Sequence, residues 1–149
     1  MIRVAVPGDL TRILELLKDF AQASLIKYSI WTVEDETAAK SKLLTLIRSH
    51  YLIVAVHNDE IVGMIGAQKE ADTWLCNRKR IRELFWWVTP AFRRSRISAE
   101  LFIRWEKDVT RWLKDGLADQ VSLSTQPGLS DIDLSKRGWQ CVEAHWIKD

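Results

Sequence analysis

Apolar residues at the start of the chain first alternate with other residues and then change to a helical spacing. Residues 2–6 predict a short strand, and Pro7-Gly8-Asp9 predicts a turn in which Asp9 is the N-cap of a helix. The helix, which we expect to end before Tyr28, is predicted by a stripe of side chains at intervals of three and four residues: Leu10, Ile13, Leu14, Leu17, Phe20 and Ala21.

The next part of the chain predicts a second helix and a hairpin. Thr32 and Asp35 have the spacing of a capping box, and the helix that they begin is predicted to continue to Arg48. Residues 51–67 contain two β-branched or apolar runs on either side of the turn-like His57-Asn58-Asp59, which predicts a pair of antiparallel strands.

After the hairpin, strand and helix patterns follow one another. Residues 81–88 are apolar and aromatic and stop before Pro90, which predicts an interior strand. The longest predicted helix starts near Ile97 and carries the stripe Leu101, Trp105, Val109 and Trp112. Three further elements are predicted: a strand at 121–125, a short helix at 129–136 ending at Gly138, and a strand at 139–147. The order β-α-α-β-β-β-α-β-α-β indicates a mixed α/β sheet of the α+β type, in one domain spanning residues 1–149.

Composition agrees with a single globular domain. The chain has 149 residues, 47% of them hydrophobic and 28% charged, which is close to the average of soluble proteins. The apolar runs are too short to span a bilayer, and the N-terminus lacks the apolar region of a signal peptide, so we expect a cytoplasmic protein. The two cysteines and three histidines do not have metal-ligand spacing, and no metal site is predicted.

A net charge of +2 does not favour nucleic-acid binding, which needs a clustered basic face. Basic clusters do occur at residues 78–82 and 93–96. Together with Trp74, Trp86 and Trp87 as stacking surfaces, they keep an oligonucleotide-binding module open as an alternative.

The junction at residues 83–101, which runs from a strand through a tight turn into a helix, predicts an anion site. The first helical turn has backbone N–H groups without partners, and the helix dipole adds positive potential. Arg93, Arg94 and Arg96 would add charge-assisted contacts to a pyrophosphate. The simpler interpretation is that these arginines form a solvated basic turn.

These residues resemble the signature of the GNAT acetyltransferase family, in which Val-x-Pro, an aromatic residue and Arg precede a loop of the form Arg-x-x-Gly-x-Gly/Ala. The matching positions are Val88-x-Pro90, Phe92, Arg93 and residues 95–98. The resemblance covers nearly the whole chain, including a Gly-aromatic step at Gly138-Trp139. The strand Glu-Leu-Phe-Trp-Trp-Val looks like a branch of the family that is common among tailed phages.

The resemblance implies a GNAT-like acyltransferase fold that binds acetyl-coenzyme A (acetyl-CoA) and transfers its acetyl group to an amine by direct attack on the thioester. The acceptor would be a small-molecule amine or an amine of a peptide or protein. A homodimer is possible without being indicated. The backbone of Val88 would meet the pantetheine and residues 93–98 would wrap the pyrophosphate. The implied cofactor-binding residues are Trp87, Val88, Arg93, Arg94, Ser95, Arg96, Ile97 and Ser98.

Glu83 is the candidate general base, since its carboxylate would lie among the aromatic residues 85–87 and have a raised pKa. Relatives often carry this glutamate one residue earlier, where the chain has Arg82. A one-residue shift moves a strand side chain to the other face of the sheet. The structural alternative is that Glu83 only pairs with Arg80, Arg82 or another basic residue.

The acid that protonates the leaving thiolate is not a tyrosine, because Leu134 stands where many relatives have one. The candidates in its place are Ser124, Ser130, Ser135 and water, or the reaction has no dedicated acid. Ser124 could instead bond the pantetheine amides or only end the strand. Arg96 and Ser98 replace the loop glycines that the family prefers. These departures leave open a second hypothesis, a catalytically inactive binding protein. One or two of the tryptophans Trp31, Trp74, Trp86 and Trp87 could line the acceptor groove, in which case the acceptor has a flat or apolar part.

Overall fold

The computed structural model describes residues 1–23, 31–125 and 133–142. Its helices are α1 (Leu10–Ala23), α2 (Val33–Ser49) and α3 (Arg96–Lys114). Its strands are β1 (Ile2–Val4), β2 (Tyr51–His57), β3 (Glu60–Ala71), β4 (Lys79–Val88) and β5 (Gln120–Ser122). Short 3₁₀ turns lie at Pro7–Asp9, Pro90–Phe92 and Ser135–Arg137.

The described strands form one sheet in the order β1-β2-β3-β4-β5. Neighbouring strands are antiparallel except for β4 and β5, which are parallel and are connected through α3. Helix α3 packs on one face, where Leu101 and Trp105 are fully buried. Helices α1 and α2 pack on the other face through residues such as Ile13 and Leu43. The predicted mixed α/β sheet is therefore confirmed.

The apolar stripe predicted for α3 is buried at all four positions: Leu101, Trp105, Val109 and Trp112. Asp108 lies beside the stripe and is also buried. Its carboxylate accepts hydrogen bonds from the hydroxyl of Tyr51 at 2.8 Å, from Arg104 at 2.9 Å and from Arg111 at 3.0 Å. The buried charge is thus compensated by partners on α3 and β2.

Of the two helix caps predicted from the sequence, one is confirmed and one is wrong. The capping box is confirmed, since the Thr32 hydroxyl accepts from the amide of Asp35, whose carboxylate accepts from the amide of Thr32. The prediction that Asp9 is the N-cap of α1 is wrong. Its carboxylate is held by Arg3 and by the amide of Val6, and it closes a 3₁₀ turn that leads directly into the helix.

The predicted hairpin is confirmed as β2 and β3, with Asn58 and Asp59 at positive φ in a two-residue turn. Strand β5 is shorter than the predicted 121–125. Of the predicted helix at 129–136, residues 129–132 lie outside the described part of the chain. The remainder forms a 3₁₀ turn that ends at Gly138 with a φ of 81°. Of the predicted last strand, residues 139–142 are not in a strand and 143–147 lie outside the described residues.

Strand β4 contains a bulge in the middle of its pairing with β3. Ala67 is opposite Glu83 and Gly66 is opposite Phe85, so Leu84 is the extra residue. Gly66 makes room for the ring of Phe85, because a Cβ atom added there would lie 2.3 Å from a ring carbon. The bulge changes which residues of β4 share a face, and this decides the geometry of the site.

Candidate active site

Strands β4 and β5 separate partway along β4. Their parallel pairing covers only residues 80–82 of β4 and 120–122 of β5. Beyond Arg82 no described strand pairs with this edge of β4, which continues to Val88. An unpaired strand edge offers backbone N–H and C=O groups to an extended ligand that carries amides, as pantetheine does.

Glu83 lies at the point where the two strands separate. Its side chain is buried, with 7% of the residue exposed, and its carboxylate accepts a hydrogen bond from the backbone N–H of Ser124 at 3.1 Å. The predicted pairing of Glu83 with Arg80 or Arg82 is wrong, since Arg82 pairs with Glu70 and Arg80 with Asp72, and Glu83 forms no ion pair within the described ranges. The carboxylate therefore connects β4 to the segment that follows β5.

Burial raises the pKa of Glu83 to about 7, although the hydrogen bond from Ser124 and the charge of Arg82 both act to lower it. The expectation of a raised pKa is confirmed in direction. A carboxyl group with this pKa exchanges a proton near neutral pH, which is what a general base for an amine needs.

The prediction that Glu83 lies among the aromatic residues 85–87 is wrong, because of the bulge. Cross-strand partners point to the same face, and Ala67, opposite Glu83, belongs to the α3 side of the sheet. Trp86 packs on that side as well, whereas Phe85 and Trp87 belong to the core under α1 and α2. Glu83 thus shares a face with Trp86 only, and not with all three aromatic residues.

Ser124 meets Glu83 through its backbone, and its side chain is exposed. Leu134 packs against the core on the α3 side. The predicted role of Ser124 as acid or pantetheine ligand stays a prediction.

The loop between β4 and α3 is organised as a helix cap. The Ser95 hydroxyl accepts from the amide of Ser98 at 3.4 Å and donates to the carbonyl of Phe92 at 2.6 Å. The hydroxyl of Ser98 donates to the Ser95 carbonyl at 2.9 Å. The amides of Arg96 and Ile97, in the first turn of α3, have no hydrogen-bond partner in the described part of the protein. These two N–H groups and the helix dipole form a site suited to a phosphate oxygen.

The glycine replacements do not distort this loop. Positive φ angles occur in the described residues at Arg94 but not at Arg96 or Ser98, so the backbone at the two family glycine positions suits any residue. The side chain of Arg96 is 92% exposed and pairs with Glu100 one helical turn away. It therefore leaves the mouth of the loop open.

The arginine side chains differ from the expected cluster around a pyrophosphate. Arg93 turns back toward the strand, where its Nε donates to the carbonyl of Val88 at 3.1 Å and its guanidinium lies 4.5 Å from the ring centroid of Trp87. Trp87, Val88 and Arg93 are thus brought together at the end of β4, while Arg96 points outward. Binding roles for the predicted residues 87, 88 and 93–98 stay predictions.

A cavity of about 310 Å³ lies on the opposite face of the sheet, between α1, α2 and the bulge. Its lining includes Leu17, Phe20, Trp31, Leu43, Leu84 and Phe85. Of the four tryptophans predicted as candidates for such a groove, Trp31 lines this cavity, whereas Trp74, Trp86 and Trp87 do not. A signal was available in Gly66, since a glycine inside a strand often marks a bulge, and this bulge places Leu84 and Phe85 on the same face.

The described ranges contain neither a candidate metal site nor a candidate membrane-spanning helix. They contain no group of three or more His, Cys, Asp or Glu side chains that could hold a metal ion. None of their helices has the length and apolarity needed to cross a membrane.

Comparison with known proteins agrees with this architecture. A sequence model of the acetyltransferase (GNAT) family matches residues 10–127. No curated protein sequence matches the chain significantly. The solved structures that resemble it include a predicted acetyltransferase from Clostridium acetobutylicum with acetyl-CoA, which is 14% identical over 99% of this chain and 94% of that chain, with a TM-score of 0.73.

Two other structures show the same fold. A possible acetyltransferase from Clostridium difficile 630 is 18% identical over 100% of this chain and 96% of that chain, with a TM-score of 0.69. An aminoglycoside N-acetyltransferase in complex with CoA is 14% identical over 100% of this chain and 93% of that chain, with a TM-score of 0.68. The alternative of an inactive binding protein gains no support from any of them.

Proposed function

Because the chain belongs to the acetyltransferase (GNAT) family, whose co-substrate is acetyl-CoA, we propose that it acetylates an amine by direct attack on the thioester, with Glu83 as general base. The observation that carries the proposal is the buried carboxyl of Glu83, with a pKa of about 7, at the separation of β4 and β5.

The described residues fit acetyl-CoA at two places. The unpaired edge of β4 up to Val88 would hold the pantetheine amides, and the amides of Arg96 and Ile97 would hold the pyrophosphate. Acetyl-CoA supplies the acetyl group as a thioester, whose carbon–sulfur bond breaks as the amine nitrogen bonds to the acetyl carbon.

Glu83 accepts the proton that the amine loses in this reaction. An amine attacks only when neutral, and its nitrogen loses a proton as the amide forms. Glu83 takes that proton, directly or through water, because its buried site makes the neutral carboxyl nearly as stable as the carboxylate at pH 7. The leaving thiolate gains a proton from the Ser124 hydroxyl or from solvent.

Three broader expectations accompany the proposal. A cytoplasmic location is favoured because acetyl-CoA must be available to the enzyme. Descent from a phage-type branch of the family and association into a homodimer stay predictions. An amine acceptor, rather than nucleic acid, is the partner that the proposed site serves.

Binding is tested by calorimetric titration with acetyl-CoA of two variants at one position. Arg96→Pro removes the side chain and the backbone N–H, and proline suits the first residue of a helix that follows an extended Ser95. Arg96→Ala removes only the side chain. We expect Arg96→Pro to weaken binding about tenfold or more, since a hydrogen bond to a charged group contributes about 1.5–3 kcal/mol. Arg96→Ala should stay within about threefold of the parent protein, since losing one exposed charge changes binding little.

Activity is tested by the release of free thiol from acetyl-CoA in the presence of a panel of amines. Transfer that Glu83→Gln abolishes supports the proposal. Tight acetyl-CoA binding without transfer to any amine would contradict it and favour the inactive alternative. Equal affinities of Arg96→Pro and Arg96→Ala would show that the pyrophosphate binds elsewhere.

A further inference from the structure

The cavity under α1 and α2 is lined in part by the two residues that follow the candidate base in β4. Leu84 and Phe85, which form part of its lining, directly follow Glu83 in the chain. One residue of a strand advances by about 3.3 Å. The carboxylate faces the α3 side and the cavity faces the opposite side, and the unpaired edge of β4 lies between them. A molecule whose nitrogen is at this edge can therefore place a substituent in the cavity.

The side chains that line the cavity determine whether a polar or an apolar substituent binds there. It is aliphatic or aromatic except for Lys42, which is exposed and contributed by α2. A polar group in such a cavity would lose hydrogen bonds to water without replacement, whereas an apolar group gains free energy by leaving water. The positive charge of Lys42 also disfavours a second ammonium group on the same molecule.

The size of the cavity limits the substituent further. A volume of about 310 Å³ is at the lower end of the range of about 300–1,000 Å³ for small-molecule sites. It suits one side-chain-sized group rather than an extended polymer. Trp31 contributes a flat apolar surface to the lining.

We propose that this cavity binds an apolar group of the acceptor, and that the acceptor is therefore a monoamine with a branched aliphatic or aromatic substituent within a few bonds of the reacting nitrogen. The inference rests on the proposed acetyl transfer and names the substrate class of that site.

The test compares three α-amino amides that differ only in the side chain. Leucinamide is apolar, asparagine amide has nearly the same shape but is polar, and glycinamide has no side chain. We expect kcat/KM for leucinamide to exceed that for the other two by about tenfold or more, since one methylene group in an apolar pocket changes kcat/KM by about tenfold or more.

A matched pair of variants on α2 connects this preference to the cavity. Ala39 lines the cavity and Ala38 is exposed beside it, so both Ala39→Phe and Ala38→Phe cost the helix the same intrinsic propensity. Ala39→Phe fills the cavity and should reduce the leucinamide to asparagine amide ratio to about one. Ala38→Phe should keep the ratio of the parent protein.

The outcomes separate this inference from the proposed function. Transfer without a preference for leucinamide, or a ratio that Ala39→Phe leaves unchanged, would overturn the inference while acetyl transfer stands. If no amine is acetylated, the proposed function fails. Calorimetric titration of leucinamide into the CoA-saturated protein then tests separately whether the cavity binds an apolar amine. Binding that Ala39→Phe abolishes and Ala38→Phe retains would support it, and no binding would overturn it.

Discussion

Replacing Glu83 by glutamine should make the protein more stable and less active at the same time. In the folded protein the carboxyl keeps its proton up to a pH of about 7, whereas in the unfolded chain it loses the proton near its ordinary pKa of 4.5. The free energy of unfolding therefore falls as the pH rises from about 4.5 to 7 and is constant above that range. This difference in pKa corresponds to about 3 kcal/mol.

Glutamine can accept the hydrogen bond from Ser124 and has no charge at any pH. At pH 5, where only the start of this loss has occurred, Glu83→Gln should be more stable than the parent protein by less than about 1 kcal/mol. At pH 8.5 the variant should be more stable by up to about 3 kcal/mol, or about 6–12 °C in Tm for a chain of this size. Its kcat/KM should fall by about 10²–10⁴-fold through loss of the base. The rise of kcat/KM with pH through about 7 should also disappear.

Thermal unfolding and initial rates, each measured at a series of pH values, test both halves of this prediction. Glu83→Asp is the control, because it retains an ionisable group but is too short to keep the contact with Ser124. Its stability should still depend on pH. The reasoning is refuted if Glu83→Gln changes Tm equally at pH 5 and pH 8.5, or if its kcat/KM matches that of the parent protein.

Three further predictions concern the phosphate loop, the bulge and the buried ion cluster. Ser95→Asp keeps the helix cap, so stability should stay within about 1 kcal/mol, but calorimetry should show acetyl-CoA affinity reduced about tenfold or more by charge repulsion. Gly66→Ala should cost about 1–3 kcal/mol in urea unfolding by forcing the opposing ring aside, whereas Gly8→Ala, with open space, should cost much less. Asp108→Ala should cost about 1–3 kcal/mol, since it leaves the Tyr51 hydroxyl unpaired, and the cost should be smaller in a Tyr51→Phe background.

Local and periodic signals in the sequence were enough for most of the fold. The capping box of Thr32 and Asp35 needs only residues three positions apart, and the stripe of α3 extends over about three helical turns. Asp9 failed as a helix cap because Arg3 competes for its carboxylate, and Arg3 belongs to the preceding strand. A contact of that kind depends on how two elements pack, which a local pattern does not contain.

The site was less predictable than the fold. Strand β4 is covered on both faces, and its aromatic residues follow one another without a polar residue between them. The sequence pattern therefore does not indicate on which face of the sheet Glu83 lies. The turned-back side chain of Arg93 depends on the position of Trp87 beneath it, and the cavity depends on two helices and a strand that are distant in sequence.

The bulge at Leu84 also bears on how such an enzyme can change over evolutionary time. It places Glu83 on one face of β4 and places Leu84 and Phe85 on the other. Under the proposed roles, substitutions that change the contacts with the acceptor therefore leave the proton-accepting residue unchanged. New acceptor preferences are then accessible through single substitutions along α2 and the bulge. If both proposals hold, one strand supports two traits that selection can adjust separately.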